Sequence, residues 1–243
     1  SRLKEEFLSL LSHELRAPLT VIMGYAQMME RKLERSGAES DAKSARMIRE
    51  QAIRMSGMVG DIVDSGRLES GVQNINKEKI NIEELVEHVV TRMRMEQPAM
   101  PQGRDITLRV EPGLPPVLGD MRRIDQVLTN ILSNAIRYSP DGSPISIEVK
   151  LEGTARGNHG SEQSNRFVLV SVTDQGIGIE EDERERIFER AYRSQRGQIT
   201  SAQGLGLGLY ICKLEVEAHG GTIGVDDGPG GVGSTFWFTI PVE

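Results

Sequence analysis

Aromatic residues, cysteine and excess positive charge are all scarce in this chain. Aromatic residues make up only 4% of its 243 residues, so its core must consist mainly of Leu, Ile, Val and Met. The single cysteine, Cys212, excludes an intrachain disulfide and suits a reducing compartment, so we expect a cytoplasmic location. A formal net charge of −7 argues against nucleic-acid binding, which requires a basic surface.

Long apolar runs are missing too. No run approaches the roughly 20 residues that span a bilayer, so we expect no membrane contact by this segment. The run LKEEF at 3–7 is typical of the middle of a helix, and no signal peptide is visible. We therefore expect that a region upstream of this segment exists.

Apolar residues in the first 70 or so positions alternate spacings of three and four, which predicts two long helices. A break at 36–38 separates them. A two-helix hairpin has too little interior to bury both seams, which favours dimerisation into a four-helix bundle. A monomeric hairpin packed on the downstream domain is the alternative. The first seam comprises Leu3, Phe7, Leu10, Glu14, Ala17, Val21, Gly24 and Met28, and the second comprises Ala45, Ile48, Ala52, Met55, Val59 and Ile62.

A mixed pattern of strands and helices begins at about residue 77. Adjacent strands with few crossover helices predict an α+β sandwich, with helices on one face of a mixed sheet. The predicted domains are therefore 1–72 and 77–243, with a linker near 71–76. The polar segment 153–165 is most simply a hairpin insertion, and we assign it no function. Strands are predicted at 79–82, 105–110, 145–151, 167–173, 222–225 and 235–240, and helices at 83–95, 122–137 and 207–219.

His13 stands out among four histidines because of the run that it begins, HELRAPL at 13–19. It lies beside the helical seam, where its imidazole can reach solvent. Glu14 can orient the ring or accept its proton while the nitrogen attacks phosphorus. The alternative is an exposed or structural histidine with no chemical role.

A second group of polar residues lies on the helix predicted at 122–137. Asn130 and Asn134 are four positions apart, so both amides project from one helix face. An amide oxygen is a suitable ligand for Mg²⁺, and the neighbouring Arg137 can offset phosphate charge. A solvated polar helix face is the alternative.

Two glycine-containing runs follow. In DQGIGI at 174–179, Asp174 can accept a hydrogen bond from an adenine amino group, although an ordinary turn would have the same pattern. In GLGLGL at 204–209, alternating glycines before a helix expose main-chain amides to phosphate. A dinucleotide-binding fold would have this loop near its start, so that alternative fails.

Together these runs resemble the H-box, N-box, G1 box and G2 box of sensor histidine kinases. That family joins a HisKA-type dimerisation and phosphotransfer domain to a GHKL-type ATP-binding domain. The run 186–193 is similar to its F-box, which implies that Phe188 anchors a lid at 194–203 and that Arg193 contacts the γ-phosphate. The run 233–238 is similar to its closing strand, which implies that Thr235 supports Asp174.

The resemblance implies that His13 is autophosphorylated from ATP and passes its phosphoryl group to an aspartate of a response regulator. It also implies a homodimer formed through the hairpin, Mg²⁺ held by Asn134, and a sensor or membrane region elsewhere in the full-length protein. Transfer in cis or in trans stays open. The implied nucleotide-binding residues are Asn130, Asn134, Arg137, Tyr138, Asp174, Gly176, Gly178, Ile179, Phe188, Arg193, Gly204, Leu205, Gly206, Leu207, Gly208 and Thr235.

Two positions depart from the family pattern. Many members carry Thr or Asn where Ala17 stands, a residue implicated in dephosphorylating the response regulator, so phosphatase activity stays open. Members often carry an aromatic where Ala191 stands, which suggests a looser lid. Two other functions remain as alternatives: a GHKL ATPase without phosphohistidine, and a signal-relay module that binds nucleotide without transfer.

Overall fold

The computed structural model describes residues 2–36, 38–69, 75–96, 105–153, 166–194 and 206–242. The contacts divide the chain into two units, Ser1–Gln73 and Asn74–Glu243. Each unit has its own architecture and is described by itself.

The first unit is a helical hairpin of α1 (Arg2–Arg35) and α2 (Glu39–Glu69). At the end of α1, the Ala38 amide donates to the Leu33 carbonyl at 3.0 Å. Basic residues lie in the last turn of α1 and acidic residues in the first turn of α2, where they stabilise the helix dipoles. The predicted break at 36–38 is confirmed.

Most of the described buried residues of the hairpin are small, which lets the two helices approach closely. Longer apolar side chains of the predicted seams are exposed within the single chain. The buried small residues are Ala26, Ala42, Ala45 and Ala52, and the exposed seam residues include Val21, Met28, Ile48 and Met55.

A charged cluster links the two helices near their connection. The Arg46 Nε donates to Glu30 Oε1 at 2.7 Å, and the Arg49 Nε donates to Glu30 Oε2 at 3.0 Å. Arg46 also reaches Glu34 at 2.8 Å. The hydrogen bond from Arg46 is the main cause that lowers the pKa of Glu30. The cluster opposes sliding of one helix along the other.

The second unit places helices against a five-stranded mixed sheet with the strand order β2-β4-β5-β7-β6. The β2–β4 pair is parallel and the other pairs are antiparallel. The short strands β1 and β3 form a separate antiparallel pair. The strands are β1 Glu78–Ile80, β2 Ile106–Val110, β3 Val117–Gly119, β4 Ile145–Glu152, β5 Phe167–Thr173, β6 Ile223–Asp227 and β7 Ser234–Pro241, and the helices are α3 Ile82–Glu96, α4 Met121–Tyr138 and α5 Gly208–Ala218.

The core lies between the helices and one face of this sheet. Alternate residues of β4, Ile145, Ile147 and Val149, are fully buried, as the period of two in a strand requires. They belong to the same apolar cluster as Leu128 and Ile131 of α4. The predicted α+β sandwich with a mixed sheet is confirmed.

Every helix and strand predicted from the sequence occurs with ends within two residues of the prediction. The sequence analysis missed β3, which pairs with β1, and three short 3-10 helices at Glu181–Glu183, Arg186–Phe188 and Pro229–Gly231. Of the predicted insertion 153–165, residues 154–165 lie outside the described residues. Its flanking strands pair antiparallel, with Glu152 opposite Phe167.

None of the described helices combines the length and the apolar character that a bilayer crossing needs.

Candidate nucleotide site

Asp174 is a buried carboxylate directly after β5. Asp174 is only 4% exposed to solvent. The main-chain amides of Gly176 and Ser234 both donate to Oδ1, at 2.7 and 3.3 Å. No described residue donates to Oδ2. Burial raises the pKa of Asp174, while the two amide hydrogen bonds lower it. The carboxylate is thus oriented with one oxygen left for a ligand.

Gly176 brings the loop after β5 against the end of α4. A Cβ at Gly176 would lie 2.7 Å from the Tyr138 carbonyl oxygen and 2.8 Å from Asp174 Oδ1. Any other residue would push these groups apart. Gly178 and Ile179 follow in the same loop, and Ile179 packs against the core cluster.

Asn130 on α4 meets the first residue of α5. Its amide atoms lie 3.9 to 4.0 Å from the position that a Cβ of Gly208 would take. The Asn130 Nδ2 is buried and has no hydrogen-bond partner among the described residues. Leu207, at the N-cap of α5, supplies no side-chain hydrogen bond to the helix start. Polar donors are therefore present here for a phosphate group to bind.

Asn134 and Arg137 lie further along α4. Asn134 is partly buried and Arg137 is exposed. Among the described residues, no group of three or more His, Cys, Asp or Glu is arranged to hold a metal ion. Mg²⁺ usually binds through one or two protein oxygens together with phosphates and water, which the Asn134 amide oxygen suits.

Phe188 is buried against the sheet, with its ring edge-on to Phe236 at a centroid distance of 6.5 Å. Four residues later, the Tyr192 hydroxyl donates to Glu183 at 2.9 Å, and the Arg186 guanidinium lies 4.6 Å from the centre of its ring. Desolvation, followed by the bond to Glu183, raises the pKa of Tyr192. These contacts fix the chain just before Arg193.

The backbone at Ala191 and Gly206 adopts left-handed conformations, with φ of 59° and 70°. A Cβ at Gly206 would lie 2.6 Å from the Tyr192 carbonyl oxygen. Gly206 of the glycine loop therefore packs directly on the end of the F-box run. Gly204, Leu205 and the predicted lid, apart from Ser194, lie outside the described residues.

Thr235 has a different partner from the one that the resemblance implies. Its hydroxyl lies 3.0 Å from the Thr173 hydroxyl, which is opposite it in the β5–β7 register. The neighbouring Ser234 amide, not the threonine hydroxyl, holds Asp174. The side chains of Thr173 and Thr235 face the same side of the sheet.

His13 and Glu14 lie within α1 in the first unit, and their side chains are outside the described part of the chain. The second unit brings the other candidates together. The Asp174 loop meets the end of α4 at Tyr138, and the middle of α4 meets the start of α5. Sequence reasoning missed the Ser234 amide and the Tyr192–Glu183 bond. Each depends on chain geometry that no local motif signals.

Comparisons with known proteins identify the family. Residues 119–243 match the family of histidine kinase-, DNA gyrase B- and HSP90-like ATPases. Residues 3–71 match the His Kinase A (phospho-acceptor) domain. The chain belongs to the first family, and with the phospho-acceptor domain ahead of it forms a histidine kinase catalytic core. This pair of domains is that of protein-histidine kinases, which agrees with the predicted enzyme class.

Individual relatives agree. Sensor histidine kinase AruS of Pseudomonas aeruginosa matches 98% of this chain, at 35% sequence identity. Full-length ShkA in complex with AMPPNP covers 97% of the chain at 28% identity, with a TM-score of 0.71. ThkA in complex with the response regulator protein TrrA covers 98% at 26% identity, with a TM-score of 0.62. The chain itself spans 23% of AruS, 45% of the ShkA chain and 61% of the ThkA chain.

Proposed function

We propose that this chain is the phosphotransfer core of a sensor histidine kinase in a two-component system. It autophosphorylates His13 from Mg-ATP and passes the phosphoryl group to an aspartate of a response regulator. The observation that carries the proposal is Asp174, a buried carboxylate with one oxygen fixed by two amides and the other left for a ligand. The ShkA complex with AMPPNP supports nucleotide binding at this fold.

ATP binds between the loop after β5, the second half of α4 and the start of α5. Asp174 accepts a hydrogen bond from the adenine amino group, and Gly176 and Gly178 allow the base to approach the main chain. The buried Asn130 amide and the first amides of α5 bind phosphate oxygens. Arg137 and Arg193 add positive charge, while Tyr138, Ile179 and Phe188 shape the walls.

Asn134 is the proposed protein ligand of Mg²⁺. When bound, the ion would offset the negative charge of the phosphates, which would favour departure of ADP. The residues of this chain position the nucleotide and need supply little covalent chemistry.

His13 is the proposed nucleophile. One imidazole nitrogen forms a bond to the γ-phosphorus, the bond from that phosphorus to the bridging oxygen breaks, and ADP leaves with the bond electrons. Glu14 accepts the proton that the imidazole gives up. The acceptor histidine therefore belongs to a domain at 1–72 and the ATP site to a domain at 77–243.

The hairpin is the proposed dimer interface. Val21, Met28, Ile48 and Met55 are between 49% and 67% exposed in the single chain, whereas most of the described buried residues of the hairpin are alanines. A second copy would cover these stripes in a four-helix bundle.

A response regulator is the proposed acceptor of the phosphoryl group, and the ThkA complex with TrrA supports this partner. The reverse reaction, dephosphorylation of the regulator, is not part of the proposal. Ala17 has only a methyl group one helical turn after His13, so it cannot orient a water.

Incubation with γ-labelled ATP and Mg²⁺ tests the proposal. We expect an acid-labile, alkali-stable adduct on the wild-type chain, because phosphohistidine has these properties. His13→Gln should bind ATP normally and acquire no label. Asn134→Ala should lose most of the labelling, and chelation of Mg²⁺ should have the same effect.

The same experiment separates the alternatives. Steady release of phosphate without an adduct would indicate an ATPase of another kind. ATP binding without label or phosphate release would indicate a relay module. Equal labelling of His13→Gln would show that another residue is the acceptor.

A further inference from the structure

A buried ion pair joins α4 to α5 away from the proposed nucleotide groups. Arg123 and Glu215 are only 6% and 2% exposed. The Arg123 Nη1 lies 2.7 Å from Glu215 Oε1 and 2.8 Å from Oε2. Such a pair contributes little net stability, because desolvation offsets the attraction between the charges. An apolar pair of similar volume would stabilise the helix contact equally well. Stability alone therefore does not explain an ion pair at this position.

His219, at the end of α5, adds a second polar link. Its Nε2 accepts a hydrogen bond from the Asp120 amide at 2.9 Å, and Nδ1 lies 2.7 Å from the Glu215 carbonyl oxygen. An amide can only donate to Nε2, so Nδ1 carries the proton and donates to the carbonyl. Asp120 is the N-cap of α4 and accepts from the Arg123 amide. The imidazole thus ties the end of α5 to the start of α4.

The contacts between the two helices follow one order. Arg123 meets Glu215, the Cys212 sulfur lies 3.9 Å from the Val127 carbonyl oxygen, and Asn130 meets Gly208. As residue numbers rise along α4 they fall along α5, so the helices are antiparallel with about one contact per turn. A slip of one turn would move Asn130 by about 5.4 Å relative to Gly208.

The middle of this interface does little to resist such a slip. Val127 and Cys212 are buried and apolar, and an apolar contact of this kind can repack after sliding. The charged end cannot, because sliding would break both buried hydrogen bonds from Arg123 to Glu215. Buried polar groups are best attested in setting the register of packed helices.

We propose that Arg123, Glu215 and His219 are positioning residues that set the register of α4 against α5. Through that register they hold the Asn130 amide against the start of α5. This inference rests on the proposed function, in which ATP phosphates bind at that point. None of the three residues belongs to the proposed nucleotide-binding set.

The test compares stability with nucleotide affinity in the full chain. Arg123→Met combined with Glu215→Leu replaces the pair by apolar side chains of similar volume. We expect a thermal midpoint within about 5 °C of wild type and a dissociation constant for Mg-ATP, measured by titration calorimetry, that rises about tenfold. Arg92 and Asp125 form an ion pair between α3 and α4. Arg92→Met combined with Asp125→Leu is the matched control and should change the affinity for Mg-ATP less than about twofold.

A second pair of variants applies if the double variant does not fold. His219→Gln keeps an acceptor for the Asp120 amide and should retain ATP affinity, whereas His219→Leu should weaken it. Wild-type affinity in the folded double variant, or in His219→Leu, would overturn the inference while leaving the proposed function intact. Failure of the wild-type chain itself to bind Mg-ATP would overturn both.

Discussion

At the scale of single residues, Asp174 shows how a binding group can lower the stability of the fold that holds it. Burial raises its pKa above the ordinary value of 3.8, against the opposing effect of two amide hydrogen bonds. Because the pKa is higher in the folded state, stability is greatest below the unfolded pKa. It falls as the pH rises through the folded pKa and the buried carboxylate ionises.

Asp174→Asn should therefore stabilise the protein at pH 7 and weaken ATP binding. The asparagine oxygen can still accept from Gly176 and Ser234, while the buried charge is gone. The charge-assisted bond to adenine, worth about 1.5–3 kcal/mol, is lost, so affinity should fall about 10- to 100-fold. Thermal unfolding from pH 4 to pH 8, with ATP titrations at pH 7, measures both effects.

The stability gain should shrink as the pH falls through the pKa of Asp174 in the folded protein, because the wild-type carboxyl then becomes protonated as well. Asp105→Asn makes the same chemical change at an exposed side chain and should alter neither property. A variant that is less stable than wild type at pH 7 would show that the two amide bonds outweigh desolvation.

At the scale of helices and strands, the apolar stripes of α1 and α2 stand out because large apolar side chains on them are exposed to solvent. Met28→Glu together with Ile48→Glu would place a charge on each stripe. Each change removes about 1.5–3 kcal/mol of apolar burial from a dimer interface, so the dimer dissociation constant should rise at least about 100-fold. Sedimentation equilibrium at several concentrations measures the shift to monomer.

Gln27→Glu is the matched control, because it adds the same charge at an exposed polar position on α1. It should leave the dimer intact. A wild-type chain that is monomeric at micromolar concentration would instead favour the hairpin packed on its own downstream domain.

The elements that the sequence predicted well are those with a clear period. β5 and α4 have apolar residues at spacings of two and of three to four, and their predicted ends differ from the structure by at most one residue. β3 was missed because three residues next to two prolines are too few to show any alternation. Its pairing with β1 depends on the folded neighbourhood.

The candidate site was predictable to the extent that its chemistry lies in local runs. Asp174, Asn130 and the glycine loop each stand in a recognisable pattern. The partners that orient them do not, because they come from distant parts of the chain. The Ser234 amide is 60 residues from Asp174, and Glu215 is 92 residues from Arg123. Such pairs follow from strand register and helix packing, which no local motif encodes.

At the scale of the whole molecule, the two units divide the proposed reaction between them. Ser1–Gln73 carries the proposed acceptor histidine, and Asn74–Glu243 carries every proposed nucleotide-binding residue. The second unit has its own apolar core, drawn from α3, α4, α5 and the sheet. Binding and transfer should therefore be separable, and the covalent link should act mainly by keeping the units together.

Fragments 1–73 and 74–243 test this division, once circular dichroism has shown that both are folded. The larger fragment alone should bind Mg-ATP within about twofold of the full chain and acquire no label, because it lacks His13. When the two fragments are mixed at about 10 µM, fragment 1–73 should become labelled about 100-fold more slowly than the intact chain. The reason is that a short linker provides an effective concentration in the millimolar range. A His13→Gln version of fragment 1–73 is the control and should stay unlabelled. Label on the larger fragment by itself would place the acceptor in the wrong unit and contradict the division.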